Sequence, residues 1–273
     1  WRVAWRRMTQ PGLERSLQAA LVPPGPAHVH TVHTILTPTE LSTVRLAGLW
    51  SSLPFDYLVK VSGKGDVQDE LIRRFPFPKD HPLDSALLVR TLRLNCLTAD
   101  YALLWGEMFA KPWTADAWTD RAFARVELGA IGPEWTMFTP FRRDAERRMA
   151  LVELDAIAAI LLGLTSEQLC AMFRTQFATL RKYENFMAFD AKGRKICQHH
   201  QSAGFRQSQL QEQAKNGERG KQWKSVWSMF LQYEEDPDSV DWEGQYTAPF
   251  TRVDREAEMT RAYNEFQRRL AER

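Results

Sequence analysis

The stretch Trp1-Arg2-Val3-Ala4-Trp5-Arg6-Arg7-Met8 mixes bulky apolar side chains with arginines in the nearly alternating order of a half-buried strand. A turn signal with Pro and Gly at residues 9–12 separates it from a second β-favouring run, Leu17–Val22. After a proline-rich breaker at residues 23–26, the run His28–Leu36 alternates again and is rich in β-branched residues. The start of the chain therefore predicts three strands.

Helical patterns dominate the rest of the chain. Thr37-Pro38-Thr39-Glu40 offers an N-cap hydroxyl, then a proline and an early glutamate, and predicts a helix that runs to about Leu53. Thr165-Ser166-Glu167-Gln168 is a second capping sequence, which opens a helix through about Tyr183. The other predicted elements are helices over Val67–Arg74, Asp84–Phe109 (with a break near residues 95–98) and Arg142–Gly163, a hairpin over Phe186–Cys197, and helices near Phe205–Lys215, Gln222–Tyr233 and Asp254–Leu270.

Together these elements predict an α+β fold, with a β-rich N-terminal part followed by a mainly helical remainder. At 273 residues the chain has the length of one large domain or of two ordinary ones. Residues 111–140 are loop-like and carry three scattered tryptophans, so we place a domain boundary there. The first domain then covers residues 1–110, with strands and helices. The second covers residues 141–273, with helices, a small hairpin and an acidic C-terminal segment.

Composition is that of an ordinary water-soluble fold, with 44% apolar residues, 26% charged residues and a net charge of +2. The three cysteines are odd in number and distant in sequence, which argues against a disulfide framework and favours a reducing cytoplasm. Two of them, Cys96 and Cys170, lie in apolar helical runs and are expected in the core. The longest apolar run, Ala156–Leu164, has nine residues, fewer than the roughly 20 that span a bilayer. We therefore expect a cytoplasmic protein with no membrane partner.

Charge is segregated along the chain although its sum is small. Residues 174–224 hold eleven basic and four acidic side chains, a net of +7. Residues 234–258 hold two basic and nine acidic side chains, a net of −7. Two interpretations remain open, because such blocks either form a side that faces a polyanion together with an acidic tail, or pair with each other.

The sequence contains no complete catalytic or metal-binding motif. His28 and His30 would share one face of a strand and His33 would point to the other, so a common zinc ion would require a bulge. Cys197-x-His199-His200 lacks the second cysteine pair of a zinc finger. A Gly-x-Ser-x-Gly elbow and a Walker phosphate loop are both missing. Since the sequence also opens inside a strand and without methionine, we expect a recognition part of a longer polypeptide.

Basic residues interleaved with aromatic ones are the most informative functional signal. One set holds Trp1, Arg2, Trp5, Arg6, Arg7 and Arg15, and a second holds Lys60, Lys64, Arg73, Arg74 and Phe75. Such sets can hold phosphates by charge and present guanidinium groups to base edges. Each set can equally be a solvated face with structural cation–π pairs. The Gly-Lys loops at residues 62–65 and 217–221 can likewise be phosphate contacts or solvated turns.

Several short motifs follow one another along about the first 195 residues. The first is Arg2-x-x-x-Arg6-x-Met8, followed by Glu14-Arg15-Ser16-Leu17 and a proline pair. The second is Leu53-Pro54-Phe55-Asp56-Tyr57-Leu58-Val59-Lys60, followed by Ser62-Gly63 and Phe75-Pro76-Phe77-Pro78. Leu92–Thr98 with Leu104-Trp105, Leu161–Thr165 and Arg174–Tyr183 come next. This order resembles the target-recognition region of large N6-adenine DNA methyltransferases. These include type IIG restriction-modification enzymes and the phage-defence methyltransferases of BREX and DISARM systems.

Two features depart from the family pattern. Ser51-Ser52 stand where the family usually has Asn-Ser. The Asn-Pro-Pro-Tyr or Asp-Pro-Pro-Tyr motif and the Gly-rich S-adenosylmethionine loop are missing from this sequence, and in the family they lie upstream.

The resemblance implies a C-terminal region that reads a DNA sequence for an adenine-specific methyltransferase of a bacterial restriction-modification or phage-defence system. No cofactor is expected in this chain, since S-adenosylmethionine would bind the upstream catalytic domain. The expected partners are duplex DNA, that catalytic domain and other defence subunits. An alternative is a protein-interaction or scaffolding domain that docks such subunits, with its tryptophans in the interface. Charge and context select as DNA-contact candidates Arg2, Arg6, Arg7, Arg15, Lys60, Lys64, Arg73 and Arg74, and as a second choice Lys192, Arg194 and Lys195.

Overall fold

A computed structural model describes residues 1–10, 12–121, 126–197, 226–242 and 244–272. Within them it confirms the α+β class, because three strands lie in the first 36 residues and helices dominate the remainder. Contacts divide the chain into two units: unit 1 holds residues 1–181 and 255–273, and unit 2 holds residues 182–254. The boundary that the sequence placed in residues 111–140 does not coincide with this division, since that segment belongs to unit 1.

The N-terminal sheet has three antiparallel strands, with β1 (Arg2–Arg6) between β2 (Ala19–Val22) and β3 (Val32–Ile35). Trp5 on the central strand is 2% exposed and meets Trp50 edge-on, with ring centroids 5.4 Å apart. The three predicted strands are confirmed. Each is shorter than its β-favouring run.

The first helix, α1 (Glu40–Trp50), begins later than its capping sequence suggested. Its N-cap is Thr39, whose hydroxyl accepts the backbone N–H of Ser42 at 3.1 Å. Thr37, the earlier capping candidate, instead donates its hydroxyl to the carbonyl of Thr39. The helix ends three residues before the predicted end, and α2 (Leu53–Val61) starts after a break of two serines.

The remaining elements are helices and the three strands of one small sheet. In chain order they are α3 (Asp69–Ile72), α4 (Asp84–Asn95), α5 (Ala102–Met108), α6 (Asp144–Leu161), α7 (Ser166–Gln176), α8 (Ala178–Glu184), β4 (Met187–Phe189), β5 (Lys195–Cys197), α9 (Val226–Glu235), β6 (Thr251–Arg252) and α10 (Arg255–Ala271). The predicted break near residues 95–98 is confirmed between α4 and α5. The Thr165 capping box is also confirmed, with both of its hydrogen bonds, but its helix is interrupted at Phe177.

The helices of unit 1 cross closely and are joined by buried ion pairs. A Cβ at Gly48 of α1 would lie 2.2 Å from the hydroxyl of Thr91 on α4, so this crossing requires glycine. Arg90 on α4 bonds Glu153 on α6, and Arg255 on α10 donates to Asp155 on α6 at 2.6 Å. Buried pairs of this kind contribute little net stability, but a change of register would leave their charges unpaired.

Indole groups hold the segment 111–140 against the helices. Trp105 of α5 donates its indole N–H to Gly132 O at 2.9 Å, and Trp113 donates to Ser85 Oγ of α4 at 3.0 Å. Trp135 donates to Cys96 O at 2.8 Å, and Trp118 donates within the segment, to Val126 O at 2.8 Å. Trp105, Trp113 and Trp118 are also buried. A segment that lacks regular periodicity is therefore part of the core, because tryptophan supplies both apolar area and a donor.

Unit 2 contains the predicted hairpin. β4 pairs with β5 on one side and with β6 on the other, all antiparallel. In the turn, the buried carboxylate of Asp190 accepts the N–H groups of Lys192 and Arg194 at 2.9 and 2.8 Å, and Gly193 has φ +74°. The helix predicted near Phe205–Lys215 lies outside the described residues. Of the helix predicted at Gln222–Tyr233, only the part after residue 225 is described, and it lies in α9.

Among the described residues, no single helix has both the length and the apolarity needed to cross a bilayer. Only α6 and α7 taken together pass that test, and they are bent by 120° relative to each other.

Candidate functional site

A cleft of about 230 Å³ lies where β1 ends, beside the loop that follows α2. The chain after β1 pairs with this loop, since Thr9 donates to the carbonyl of Gly65 at 3.0 Å and Val67 donates to that of Arg7 at 2.7 Å. Gly63 lies at the turn with φ +67°, a conformation that glycine adopts without strain. The polar lining includes Thr9, Gln10, Lys60, Lys64 and Gln176.

Two of the predicted DNA-contact residues, Lys60 and Lys64, meet in this cleft. Lys60 belongs to the last turn of α2, and its ammonium lies 5.1 Å from the centre of the Phe177 ring. Burial lowers the pKa of Lys60, while the neighbouring charge of Asp56 raises it. Lys64 is exposed on the loop. The cleft thus combines a half-buried cation on a helix with an exposed cation on a turn.

Asp56 fixes the wall behind the cleft. Its carboxylate is fully buried and accepts the N–H groups of Ser16 and Leu17, each at 2.9 Å. Burial raises the pKa of Asp56, and the positive charge of Arg15 opposes that shift. Since Ser16 lines the cleft, the Phe-Asp-Tyr motif of α2 positions the backbone that faces the two lysines.

Arg15, also predicted as a DNA contact, has a half-buried side chain beside the wall of the cleft. Its side chain is 18% exposed, and its Nη2 is 3.6 Å from the buried carboxylate of Asp155. A guanidinium held between Asp56 and Asp155 compensates buried negative charge. This position gives Arg15 a structural explanation independent of DNA.

Arg2 and Arg7 also make internal bonds. Arg7 donates Nε and Nη2 to the two carboxylate oxygens of Asp66, at 2.8 and 2.7 Å. This fork lowers the pKa of Asp66 to about 2. Arg2 donates to the carbonyl of Pro26. Both residues therefore brace the N-terminal sheet and its loops.

Three predicted residues of unit 1 remain exposed outside the cleft: Arg6, Arg73 and Arg74. Arg6 follows buried Trp5 on the strand and therefore points to the opposite face. Arg73 and Arg74 come directly after the short helix α3. In the part of the chain that the structure describes, none of the three forms an ion pair with an acidic residue.

The second-choice residues belong to unit 2. Lys192 is exposed at the tip of the hairpin and Lys195 is half-buried in β5. Arg194 pairs with Asp190 at 2.7 Å and lies 5.3 Å from the centre of the Tyr246 ring. Of these three, Lys192 is therefore the most accessible cation.

Sequence reasoning missed the neutral part of the cleft. Gln10 and Thr9 follow the strand, and Gln176 is brought in at the end of α7, which packs on α2. The Thr9 hydroxyl is buried and has no hydrogen-bond partner in the described protein. No motif marks these residues, because only the packing of α2 against α7 brings Gln176 to the loop after α2.

Histidine and cysteine side chains are engaged elsewhere. His28 bonds the hydroxyl of Thr34 at 3.2 Å, and His33 lies 3.3 Å from Asp69. Within the described ranges, no group of three or more His, Cys, Asp or Glu side chains could hold a metal ion. In Cys197-x-His199-His200 the two histidines lie outside those ranges.

The predicted core position of two cysteines is confirmed. Cys96 and Cys170 are both buried. Burial raises the pKa of Cys96 to about 12, so its thiol is a poor nucleophile at neutral pH.

The charge blocks pair in part. Arg174, from the basic block, donates to Glu256 of the acidic block at 2.6 Å. Arg252 forks Glu234 within the acidic block itself. Residues 198–225, which carry much of the basic charge, lie outside the described ranges.

No protein-family model matches the chain, and neither a curated protein nor a solved structure matches it. Function is therefore inferred from the motifs of the sequence and from the geometry of the cleft.

Proposed function

We propose that the chain binds duplex DNA as the target-recognition region of an adenine-specific DNA methyltransferase, and that the cleft holds the DNA backbone. The observation that supports this most directly is the charge of the cleft. Its lining contains Lys60 and Lys64 and, among the described residues, no acidic side chain. Phosphate oxygens are held by such ammonium groups and by neutral side-chain donors, which Gln10 and Gln176 supply.

The exposed arginines would extend the contact beyond one phosphate. Arg6, Arg73 and Arg74 have guanidinium groups that are not committed to an acid in the described protein. Guanidinium groups bind phosphates and also read guanine edges bidentately. Arg7 is not proposed as a contact because Asp66 forks it, and Arg15 is not because its Nη atoms are buried near the carboxylate of Asp155.

The methyl transfer itself is proposed to occur on another part of the polypeptide, where S-adenosylmethionine binds. This region would hold one adenine in reach of that domain, which must take the base out of the stack to act on it. The family resemblance of the ordered motifs supports this assignment.

The alternative, a docking module with tryptophans in the interface, has less support. Six of the ten tryptophans lie in the core of the chain: Trp5, Trp50, Trp105, Trp113, Trp118 and Trp227. These side chains are not available to a partner. A docking function would therefore have to use other surfaces.

The proposal is tested by the salt dependence of binding to a duplex of roughly 30 base pairs, about three helical turns. Wild-type affinity, measured by fluorescence anisotropy, should fall steeply between about 50 and 200 mM salt, because bound phosphates release counterions. Lys64→Ala should weaken binding and reduce the slope of log K against log salt by about 1.

Lys111→Ala is the matched control, since Lys111 is an exposed lysine that does not line the cleft. It should leave the slope unchanged. The proposal is wrong if the wild-type chain has no duplex affinity at about 50 mM salt, or if both lysine variants have the wild-type slope.

A further inference from the structure

Arg6 and Gln18 are cross-strand neighbours on the outer face of the N-terminal sheet. Trp5 and Leu21 are buried on the inner face, which packs on α1. Because side chains alternate along a strand, the even-numbered residues of β1 and β2 point outward. The N–H of Arg6 donates to the carbonyl of Gln18 at 3.1 Å, which continues the register of the two strands by one pair. Both side chains are exposed.

These two side chains are little engaged by the fold. In the part of the chain that the structure describes, the guanidinium of Arg6 has no hydrogen-bond or ion-pair partner. The amide of Gln18 donates to the carbonyl of Arg15 at 3.3 Å, and its oxygen stays available. The opposite end of the face differs, since Arg2 there donates to the carbonyl of Pro26 in the connection between β2 and β3. The end of the face next to the β1–β2 turn therefore offers a guanidinium beside an amide.

The next pair along the ribbon of β1 and β2 is small. Ala4 and Ala20 lie directly opposite each other in the register and share the outer face. With methyl groups at both positions, no long side chain separates the ribbon from a partner that approaches Arg6 and Gln18. Paired strands lie about 5 Å apart, and the major groove of DNA, about 12 Å wide, admits a two-stranded ribbon. The ribbon therefore has a width that this groove accepts.

The charge of the sheet favours a polyanion. Residues 1–39 contain four arginines and a single acidic residue, Glu14, which is half-buried. The strands β1, β2 and β3 contain no acidic residue. At the end of β1 the carboxylate of Asp66 is neutralised by the fork from Arg7. Asp69 lies beside His33, on the inner-face side of β3. The outer face thus carries arginine without a carboxylate of its own.

The cleft lined by Lys60 and Lys64 follows directly in the chain. Thr9 comes three residues after Arg6, Ser16 comes two residues before Gln18, and both line the cleft. Three extended residues span at most about 11 Å. In duplex DNA the phosphates border the groove in which the base edges lie. One duplex can therefore contact the cleft with its backbone and the pair of side chains with its bases.

We propose that Arg6 and Gln18 read two neighbouring base pairs in the major groove. Strands as well as helices read this groove. Arginine recognises guanine through O6 and N7, and glutamine recognises adenine through N6 and N7. The Cα atoms of such a strand pair are about 5.5 Å apart and successive base pairs are about 3.4 Å apart, so the recognised sequence should contain a G·C pair next to an A·T pair. This inference rests on the proposed DNA-binding function and names the residues that give it sequence specificity.

Selection from a library of random duplexes tests the reading pair without knowledge of the recognised sequence. The full chain is incubated with duplexes that carry about 20 random base pairs, roughly two helical turns, and the bound fraction is sequenced. Gln18→Ala should relax the A·T position alone, with a loss of discrimination of roughly 5- to 150-fold. It should keep the wild-type salt slope, because glutamine carries no charge. Gln18→Glu should replace A·T by C·G at that position, since a carboxylate accepts from cytosine N4.

Arg6→Ala should relax the neighbouring G·C position by a similar factor. Gln267→Ala and Arg121→Ala are the matched controls, because both residues are exposed on other elements of unit 1, and they should keep the enriched sequence. An Arg6→Ala variant that weakens all duplexes equally would identify a phosphate contact and overturn the reading role.

The outcomes separate this inference from the function on which it rests. If the wild-type chain binds duplexes with a Lys64-dependent salt slope but enriches no sequence, the reading pair is wrong and DNA binding stands. The same holds if the enriched sequence lacks a G·C pair beside an A·T pair, or if the variants at positions 6 and 18 leave it unchanged. If the wild-type chain binds no duplex, both fail.

Discussion

The guanidinium of Arg7 forks the carboxylate of Asp66, with Nε 2.8 Å from Oδ1 and Nη2 2.7 Å from Oδ2. This pair closes the end of β1 onto the loop that carries Lys64. The neighbouring backbone repeats the connection, since Met8 bridges Asp66 in an antiparallel pair. The loop of the cleft is therefore held by side-chain and main-chain bonds together.

Asp66→Asn should reduce stability at neutral pH and have a much smaller effect in acid. The fork lowers the pKa of Asp66 from 3.8 to about 2. Because the lowered pKa belongs to the folded state, the stabilisation is complete above the ordinary carboxyl range and is lost as pH falls from about 4 toward 2. Thermal melting of both proteins from pH 7 to pH 2 measures this. Glu70→Gln, which changes an exposed carboxylate on α3, is the control, and equal Tm differences at all pH values would contradict the prediction.

Asp56→Ala should destabilise the fold by about 3 kcal/mol, because it leaves the buried N–H groups of Ser16 and Leu17 without an acceptor. Asp56→Asn keeps one acceptor oxygen and should lose less. Urea denaturation gives both free energies of unfolding. Glu107→Ala, at an exposed acid on α5, should stay within about 0.5 kcal/mol of the wild type. A loss equally small for Asp56→Ala would show that the carboxylate does not hold this backbone.

Local rules predicted most of the elements, and the misses have specific physical causes. The Asp190 turn and the Thr165 capping box form because their bonds are made within a few residues. Thr37 is not the cap, because its hydroxyl bonds the carbonyl of Thr39 and the hydroxyl of Thr43. Thr39 is the N-cap instead, so the helix starts two residues later. The tryptophans of residues 111–140 carry no periodicity, so their place in the core follows only from tertiary packing.

The candidate site was predictable only in part. Lys60 and Lys64 are close in sequence, and a lysine four residues from another at a helix end is a local signal. In the sequence, nothing distinguishes Arg7 and Arg15 from an exposed arginine such as Arg6. Their acids, Asp66 and Asp155, lie 59 and 140 residues away in sequence, so charge patterning alone cannot separate a structural arginine from a free one.

Gly48→Ala should destabilise the crossing of α1 and α4 by about 1 to 3 kcal/mol, although alanine favours a helix. The added Cβ would lie 2.2 Å from the hydroxyl of Thr91, which is held in place by donating to the carbonyl of Leu87. Thr91→Ala removes that hydroxyl, so the double variant should recover most of the loss. A double-mutant cycle in urea measures the coupling. Gly12→Ala, where a Cβ meets nothing within 4 Å, is the control, and additive effects at positions 48 and 91 would disprove the clash.

Arg93→Met should destabilise the fold by about 3 kcal/mol, because the carbonyls of Leu128 and Thr139 lose a buried charged donor while the apolar volume is kept. The same change should loosen the backbone beside Phe138, so limited proteolysis should cut within residues 127–141 before global unfolding. Arg121→Met alters an arginine whose side chain is 68% exposed and should do neither. Wild-type proteolysis together with a wild-type free energy of unfolding would show that Arg93 does not hold this segment.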